Sequence, residues 1–232
     1  METNQPLNAK VVGITGANGT LGQALIAELS LQGAKIIAFT TNKTAIFAPE
    51  ITIVHWQIGS ESELRSYLEM LDILIINHGI NVYDNRTVSG IDRSYQVNTF
   101  SAIRLTEMFL NTVSTSAHPA TKELWINTSE AEVNPAFSPL YELSKRTLGD
   151  LITLLRLDAP CRIRKLVLGP FKSQLNPAGV MSPKLIAWGI IALANKDFKD
   201  IIITINPITY LLFPLKEFAQ SLYFRLLTTK HS

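Results

Sequence analysis

The sequence lacks the residues from which several classes of protein are built. Among 232 residues it has one cysteine, Cys161, which excludes an internal disulfide, and its four histidines are too far apart for the spacing of a metal site. It also lacks an excess of one charge, because 21 basic and 19 acidic residues leave a formal net charge of +2. We therefore expect no metal and no nucleic acid partner.

Long apolar runs are absent as well. The longest, at 185–194 and 207–215, fall short of the roughly 18 residues that would span a bilayer, and residues 1–10 lack the basic start of a signal peptide. The sequence thus predicts a cytoplasmic protein, with membrane association as an alternative. A hydrophobic fraction of 47% is enough for one large core, so we expect a single domain over 1–232.

Three basic residues, Arg162, Arg164 and Lys165, form the densest cationic cluster. They lie beside a β-like run, where such residues more often mark solvated strand ends than a binding patch. We expect them to be solvated.

Short apolar runs alternate with stretches of helical period. Strands are predicted at 10–15, 35–39, 51–56, 72–77, 123–128, 164–169 and 200–205, with helices at 20–32, 62–70, 93–112, 141–157 and 183–194. This alternation predicts an α/β fold, a doubly wound parallel sheet of about seven strands with helices on both faces, known as the Rossmann fold. Such sheets bind ligands at the carboxyl ends of their strands.

A glycine-rich stretch, TGANGTLG at 15–22, follows the first predicted strand and opens the first helix. Glycines at 16, 19 and 22 would let the backbone turn tightly, let a pyrophosphate approach, and let helix and strand pack closely. The helix would then offer its free N–H groups to the phosphates. We favour dinucleotide binding over a purely structural turn.

The choice between NAD and NADP is expected at the end of the second strand, in FTTNK at 39–43. No Asp or Glu occurs between Glu28 and Glu50, so no carboxylate would repel a 2′-phosphate. Hydrogen bonds from Thr40, Thr41 and Asn42 and the charge of Lys43 favour NADP(H) over NAD(H). The alternative is that these residues only begin a solvated loop.

Two residues four apart, Tyr141 and Lys145, lie on one face of a predicted helix. A phenol is a poor acid or base at neutral pH, but a nearby ammonium lowers its pKa. Ser129, just after the strand at 123–128, could hydrogen-bond a reacting carbonyl oxygen.

The chain resembles the short-chain dehydrogenase/reductase family over nearly all of its length. The motifs occur in order as TGANGTLG at 15–22, DILIINHG at 72–79, YQVNTF at 95–100, INTS at 126–129, YELSK at 141–145 and LGPFKS at 168–173. The resemblance implies a catalytic tetrad of Asn98, Ser129, Tyr141 and Lys145. In it Tyr141 transfers the proton, Ser129 positions the carbonyl, and Asn98 holds a water that links Lys145 to a proton relay.

The resemblance also implies a set of cofactor-binding residues spread over the strand ends. They are Gly16, Asn18, Gly19, Thr20, Leu21, Ile58, Asn77, Gly79, Tyr141, Lys145, Pro170 and Ser173, together with Thr40, Thr41, Asn42 and Lys43.

The chain departs from the family pattern in four places, one of which is the reversed order of glycine and proline in LGPFKS at 168–173, where the backbone would contact nicotinamide. Thr20 replaces a glycine and gives the spacing of a longer branch that modifies sugar nucleotides. At the third strand, WQIG lacks an aspartate, which leaves Gln57 and the backbone of Ile58 near the adenine. His78 replaces an alanine, and we favour a packing or cofactor-facing role for it over catalysis.

The substrate end is less well specified. The segment near 173–183 that would cover substrate is short, which indicates an open site. In 207–227, an apolar stripe of Leu215, Phe218, Ala219, Leu222, Tyr223 and Leu226 lies opposite Lys216, Glu217, Gln220 and Arg225. We favour packing of the stripe on its own domain or on a second subunit, as a homo-oligomer, over peripheral membrane contact.

Taken together, these patterns predict an NADP(H)-dependent oxidoreductase that transfers a hydride between nicotinamide and a small-molecule carbonyl or secondary alcohol, with a lipophilic substrate as one option. One alternative is a non-catalytic sensing or scaffold protein of the same fold. The other is an epimerase or dehydratase of the longer branch, which the chain length disfavours.

Overall fold

Seven parallel strands form one sheet in the order β3-β2-β1-β4-β5-β6-β7. The computed structural model describes residues 7–83, 85–117 and 119–228, so the ends of the predicted domain, 1–6 and 229–232, lie outside the described residues. The strands are β1 Val11–Thr15, β2 Lys35–Thr40, β3 Thr52–His55, β4 Ile73–Ile76, β5 Glu123–Asn127, β6 Arg162–Leu168 and β7 Asp200–Ile203. The doubly wound fold is therefore confirmed, and strand order reverses at β1 and β4, where a crevice is expected.

Helices cover both faces of the sheet. They are α1 Thr20–Leu31, α2 Arg65–Met70, α3 Val88–Tyr95, α4 Ser101–Ser114, α5 Pro139–Leu155, α6 Pro183–Asn195 and α7 Thr209–Leu227. One apolar core lies between the sheet and α1 with α6, and a second lies between the sheet and α2, α4 and α5. Within the described ranges, no helix is long and apolar enough to cross a membrane.

A single turn of π-helix, Gln96–Phe100, joins α3 to α4. The helix predicted from residue 93 begins earlier, at Val88, because the hydroxyl of Thr87 accepts a hydrogen bond from the Gly90 N–H (3.1 Å) and caps it. Such π turns often occur at functional sites, and this one contains Asn98.

Two of the three clustered basic residues are buried, so the prediction that they would be solvated is wrong for them. Arg164 pairs with Glu123 (2.8 Å), and Lys165 lies 2.7 Å from a Glu217 oxygen. Both side chains point into the protein from β6 and meet carboxylates far away in the sequence. Pairing of this kind satisfies a buried charge, and local sequence patterns do not reveal it.

The apolar stripe of 207–227 lies on α7 and faces outward. Its five large side chains, Leu215, Phe218, Leu222, Tyr223 and Leu226, are between 48% and 74% exposed. The prediction that this stripe packs on its own domain is therefore wrong, whereas its packing on a second subunit stays a prediction. The inward face of α7 instead carries Lys216 and Glu217, whose partners are charged residues of the domain.

Candidate active site

The glycine turn lies between β1 and α1, directly beside the end of β4. Gly16 has a φ of +64°, and a Cβ on it would lie 2.9 Å from the Cα of His78. Gly19 caps α1 without a side-chain hydrogen bond, so the first N–H groups of the helix stay open to a ligand. Asn18 and Thr20 are exposed at this turn, whereas the buried Leu21 can offer only its backbone. The glycine turn and the open N–H groups of α1 together form a cradle that fits a pyrophosphate.

The end of β2 lies next to this turn, since the Ala17 N–H donates to the Phe39 carbonyl (3.4 Å). Thr40 is buried and its hydroxyl accepts from the Asn42 N–H (3.1 Å), which shapes the loop. The side chains of Thr41, Asn42 and Lys43 are exposed there. The polar segment therefore borders the cradle, with Lys43 as its cation.

Residues 77–79 continue from β4 and are held by Thr15. Its hydroxyl oxygen accepts from the Asn77 N–H (3.0 Å) and lies 2.8 Å from His78 Nδ1. The His78 ring also meets Trp56 edge-on, at 5.4 Å between centroids. Burial, followed by the charge of Lys145, lowers the pKa of His78 to about 3. His78 is thus held neutral between Thr15 and Trp56, and its role in packing or toward the cofactor stays a prediction.

The loop after β3 is held by a buried carboxylate that sequence analysis missed. Glu61 accepts hydrogen bonds from Arg104 Nε (2.8 Å) and from the Gly59 N–H (3.1 Å). Burial alone would raise the pKa of Glu61, but these bonds lower it to about 2. The loop carries Ile58, which is half-buried against the core, and the exposed Gln57.

Tyr141 and Lys145 lie one turn apart on α5. The ammonium of Lys145 is 6.0 Å from the centre of the Tyr141 ring and donates to the Asn127 carbonyl (2.8 Å). Burial lowers the pKa of Lys145 to about 8, against the opposing charge of Glu132. Burial raises the pKa of Tyr141, and a hydrogen bond with Ser129 opposes that rise. One site is therefore shared by the Tyr141 phenol, the Ser129 hydroxyl and the Lys145 ammonium.

Ser129 has an unusual backbone conformation, with φ +81° and ψ 150°. Only glycine adopts this region freely, so any other residue is strained there. The Ser129 N–H donates to the Leu166 carbonyl (3.3 Å), and its Oγ accepts from the Ala131 N–H (3.3 Å). Strain held in this way often accompanies a fixed functional side chain.

Asn98 is buried in the π turn, beneath residues 79 and 80. Its amide accepts from the Ile80 N–H (2.8 Å) and donates to the Ile80 carbonyl (3.0 Å) and to the Ser144 hydroxyl (3.0 Å). A Cβ on Gly79 would lie 3.2 Å from Asn98 Oδ1 and 3.9 Å from Lys145 Nζ. Asn98 therefore anchors the backbone beside the ammonium.

Comparison with known families agrees with this arrangement. Residues 10–177 match the model of the short chain dehydrogenase family. The chain belongs to the short-chain dehydrogenases. It is accordingly an oxidoreductase-type enzyme, and the sensing or scaffold alternative is set aside.

Two curated short-chain dehydrogenase relatives and one solved structure are informative. The chain is 55% identical over 230 residues to a monoglucosyldiacylglycerol epimerase of Synechocystis, with 97% of this chain and 56% of that protein covered. It is 27% identical to the bovine 15-hydroxyprostaglandin dehydrogenase [NAD(+)] over 240 residues, 82% of this chain and 88% of that protein. A Burkholderia cenocepacia short chain dehydrogenase in complex with NADP superposes with a TM-score of 0.76 at 17% identity, covering 96% and 99% of the two chains.

The segment predicted to cover substrate is a loop that follows β6. The Pro170 carbonyl accepts from the Val180 N–H (2.9 Å), and Ser173 Oγ accepts from the Asn176 N–H (3.1 Å), so the loop is folded on itself. Both hydrogen bonds are formed within the loop. The cofactor contacts of Pro170 and Ser173 therefore stay predictions. The loop borders a cavity of about 540 Å³, lined by Ile80, Asn81, Val82, Tyr83, Asn85, Ser89, Gly90, Arg93 and Leu175.

Proposed function

We propose that this chain interconverts a secondary alcohol and a ketone on the sugar of a glycolipid, and thereby epimerises the sugar. The observation that carries the chemistry is the convergence of Tyr141, Ser129 and Lys145 beside the glycine turn. The 55% identity to a monoglucosyldiacylglycerol epimerase supports the substrate class. The chain spans 56% of that relative's length, so the activity of the whole relative is part of the proposal.

Each polar group has a distinct role in this proposal. Tyr141 takes the proton of the sugar hydroxyl as the alcohol is oxidised and returns it when the ketone is reduced. Lys145, as an ammonium, favours the phenolate form of Tyr141. Ser129 donates to the carbonyl oxygen as negative charge develops on it. Asn98 acts as a positioning residue, because its bonds are to Ile80 and Ser144.

The dinucleotide would lie on the cradle formed by Gly16, Gly19 and the open end of α1. Bound there, it supplies the acceptor and donor of the hydride. We propose NADP(H) as the favoured form, because Lys43 is an exposed cation at the end of β2 where NAD enzymes usually carry an acid. Similar proteins are associated with either form of the cofactor, since one relative is named for NAD(+) and one solved structure contains NADP.

The cavity beside Ile80 is suited to a sugar. It has side chains that can exchange hydrogen bonds with hydroxyl groups, including Asn81, Ser89 and Arg93, and its loop wall is short. An epimerase must let the ketone turn so that either face meets the nicotinamide, which requires room. A relative named as an epimerase matches 97% of this chain, which supports an epimerase even though only 56% of that relative's length is covered.

The proposal is tested by incubating the protein with NADP⁺ or NAD⁺ and monoglucosyldiacylglycerol in detergent micelles. The lipid is recovered, its sugar is released, and the sugar epimers are separated. We expect a second epimer to accumulate while reduced nicotinamide stays catalytic in amount. A sugar composition that never changes with either cofactor would refute epimerisation.

A net dehydrogenase is the second candidate, favoured by the similarity to the prostaglandin dehydrogenase. The same experiment separates the two. Stoichiometric formation of reduced nicotinamide with a keto lipid as the product would identify a dehydrogenase, and it would leave the assignment of Tyr141, Ser129 and Lys145 in place.

A further inference from the structure

The inner face of α7 carries charged side chains beside the fully buried Phe213. Glu217 accepts from Lys165 Nζ (2.7 Å) and from Arg156 Nη1 (2.9 Å), and Lys216 donates to Glu132 (2.8 Å). The Lys165 and Glu132 side chains are fully buried in this network. Breaking a buried pair leaves an uncompensated charge, so these contacts fix which side of α7 faces the protein.

The outer face of α7 is therefore apolar in a fixed orientation. The stripe from Leu215 to Leu226 continues toward the start of the helix, where Tyr210 and Leu211 are 51% and 63% exposed. The Tyr210 hydroxyl is bonded to the Thr204 backbone (3.3 Å to its carbonyl), which leaves the exposed part of this ring apolar, and Tyr223 is 59% exposed near the other end. A contiguous apolar surface of this kind indicates a binding partner.

The charges around this face select the chemistry of the partner. Glu217 is the only acidic residue in 207–227, and it points inward. Arg225 and Lys199 are exposed and line a cleft of about 360 Å³ whose wall includes Phe218 and Leu222. The two carboxylates of this cleft, Asp200 and Glu217, are both paired with Arg156, so Arg225 and Lys199 are its exposed cations. Cations beside exposed apolar side chains match an interface where acyl chains meet anionic headgroups.

The start of α7 lies beside the reaction site. The Thr209 hydroxyl donates to Glu130 (3.2 Å) and accepts from Asn134 Nδ2 (2.7 Å). Glu130 follows Ser129 directly in the chain. A lipid with its acyl chains along the first turns of α7 would thus have its headgroup near the strained serine.

We propose that the outer face of α7 binds the surface of a bilayer containing anionic lipid, with the helix in the plane of the interface. Its apolar side chains enter the headgroup and acyl boundary, and Arg225 and Lys199 meet lipid phosphates. This surface places the start of α7, which contacts Glu130 beside Ser129, at the membrane, where a glycolipid headgroup is found. The identity of the substrate rests on the proposed function, but binding to the bilayer does not.

Flotation with vesicles tests the proposal. Vesicles of phosphatidylcholine alone and of phosphatidylcholine with phosphatidylglycerol are mixed with the protein and centrifuged through a density gradient. We expect the native protein to float with the anionic vesicles, and the double variant Phe218→Gln/Leu222→Gln to lose about tenfold or more of its partitioning. Arg225→Gln should weaken binding to anionic vesicles only.

Matched variants make the result specific to α7. Leu31→Gln/Met70→Gln changes two exposed apolar residues on other helices and should float like the native protein. Leu215→Gln/Leu226→Gln changes a second pair on the α7 face and should fail to float. Circular dichroism confirms that each variant remains folded.

Other occupants of the face give different results. If the native protein ignores both vesicles but forms a dimer that Phe218→Gln/Leu222→Gln dissociates in sedimentation velocity, the face binds a second copy and the proposal is overturned. Equal flotation of all variants overturns it too. Because Tyr141→Phe should float normally, vesicle binding can succeed while epimerisation in micelles fails, which separates this proposal from the proposed function.

Discussion

The Lys145 ammonium lies 6.0 Å from the centre of the Tyr141 ring, in a place where burial lowers the pKa of the lysine to about 8 and raises that of the phenol. Desolvation therefore disfavours the charged forms of both groups. When Lys145 is protonated and Tyr141 is deprotonated, each charge stabilises the other.

Replacing Tyr141 by phenylalanine removes the proton acceptor without changing the shape of the ring. We expect turnover to fall by about 10²–10⁴-fold, while affinity for the dinucleotide stays within a few-fold. Steady-state rates and titration of tryptophan fluorescence with NADPH check the two parts. Undiminished turnover would remove Tyr141 from its proposed role.

Replacing Lys145 by methionine removes the cation that favours phenolate. The pKa of Tyr141 should rise further, so the pH at which alcohol oxidation becomes half-maximal should move upward, with a lower plateau. The measurement is the pH dependence of kcat for oxidation in native and variant enzyme. An unshifted profile would mean that the ammonium does not tune the phenol.

Two substitutions of Ser129 separate the effect of its backbone strain from the effect of its hydroxyl. Ser129→Gly and Ser129→Ala both lose the hydroxyl, and we expect each to lose about 10²–10³ in kcat. Only glycine relieves the backbone strain at φ +81°, so Ser129→Gly should exceed Ser129→Ala in unfolding free energy by about 1–3 kcal/mol. Urea denaturation measures this difference, and equal stabilities would show that the backbone is not strained.

Lys43→Glu tests the preference for NADP(H). A carboxylate at the end of β2 would repel a 2′-phosphate, so affinity for NADPH should fall by about tenfold or more while affinity for NADH changes less. The matched control is Lys35→Glu, at the start of the same strand, where the side chain is also exposed. Equal losses for both cofactors would contradict a 2′-phosphate contact.

Lys165→Met tests the buried network under α7. Glu132 and Glu217 would then lose their shared cation inside the protein, and we expect the unfolding free energy to fall by about 3–5 kcal/mol. The exposed Lys172→Met serves as the control and should have little effect. A Lys165→Met variant as stable as the native protein would show that the network contributes little.

The sheet could be predicted from sequence because each strand is a short buried apolar run, and Gly16 and Tyr141 are found by local spacing. The inward-facing charges were missed for a different reason. Lys165 meets Glu217 across 52 residues, and Glu61 meets Arg104 across 43. Contacts between distant residues depend on how elements pack, and the π turn that carries Asn98 also has no local sequence pattern.

The reversed orientation of α7 also bears on how this protein can change through evolution. In an ordinary surface helix the apolar positions are constrained and the charged ones drift. On α7, replacing Glu217 or Lys216 disturbs buried partners, whereas Phe218 and Leu222 can exchange with other apolar residues without harm to folding. Taking the constrained positions as the buried ones would therefore orient this helix correctly, whereas its apolar pattern alone would place it the wrong way round.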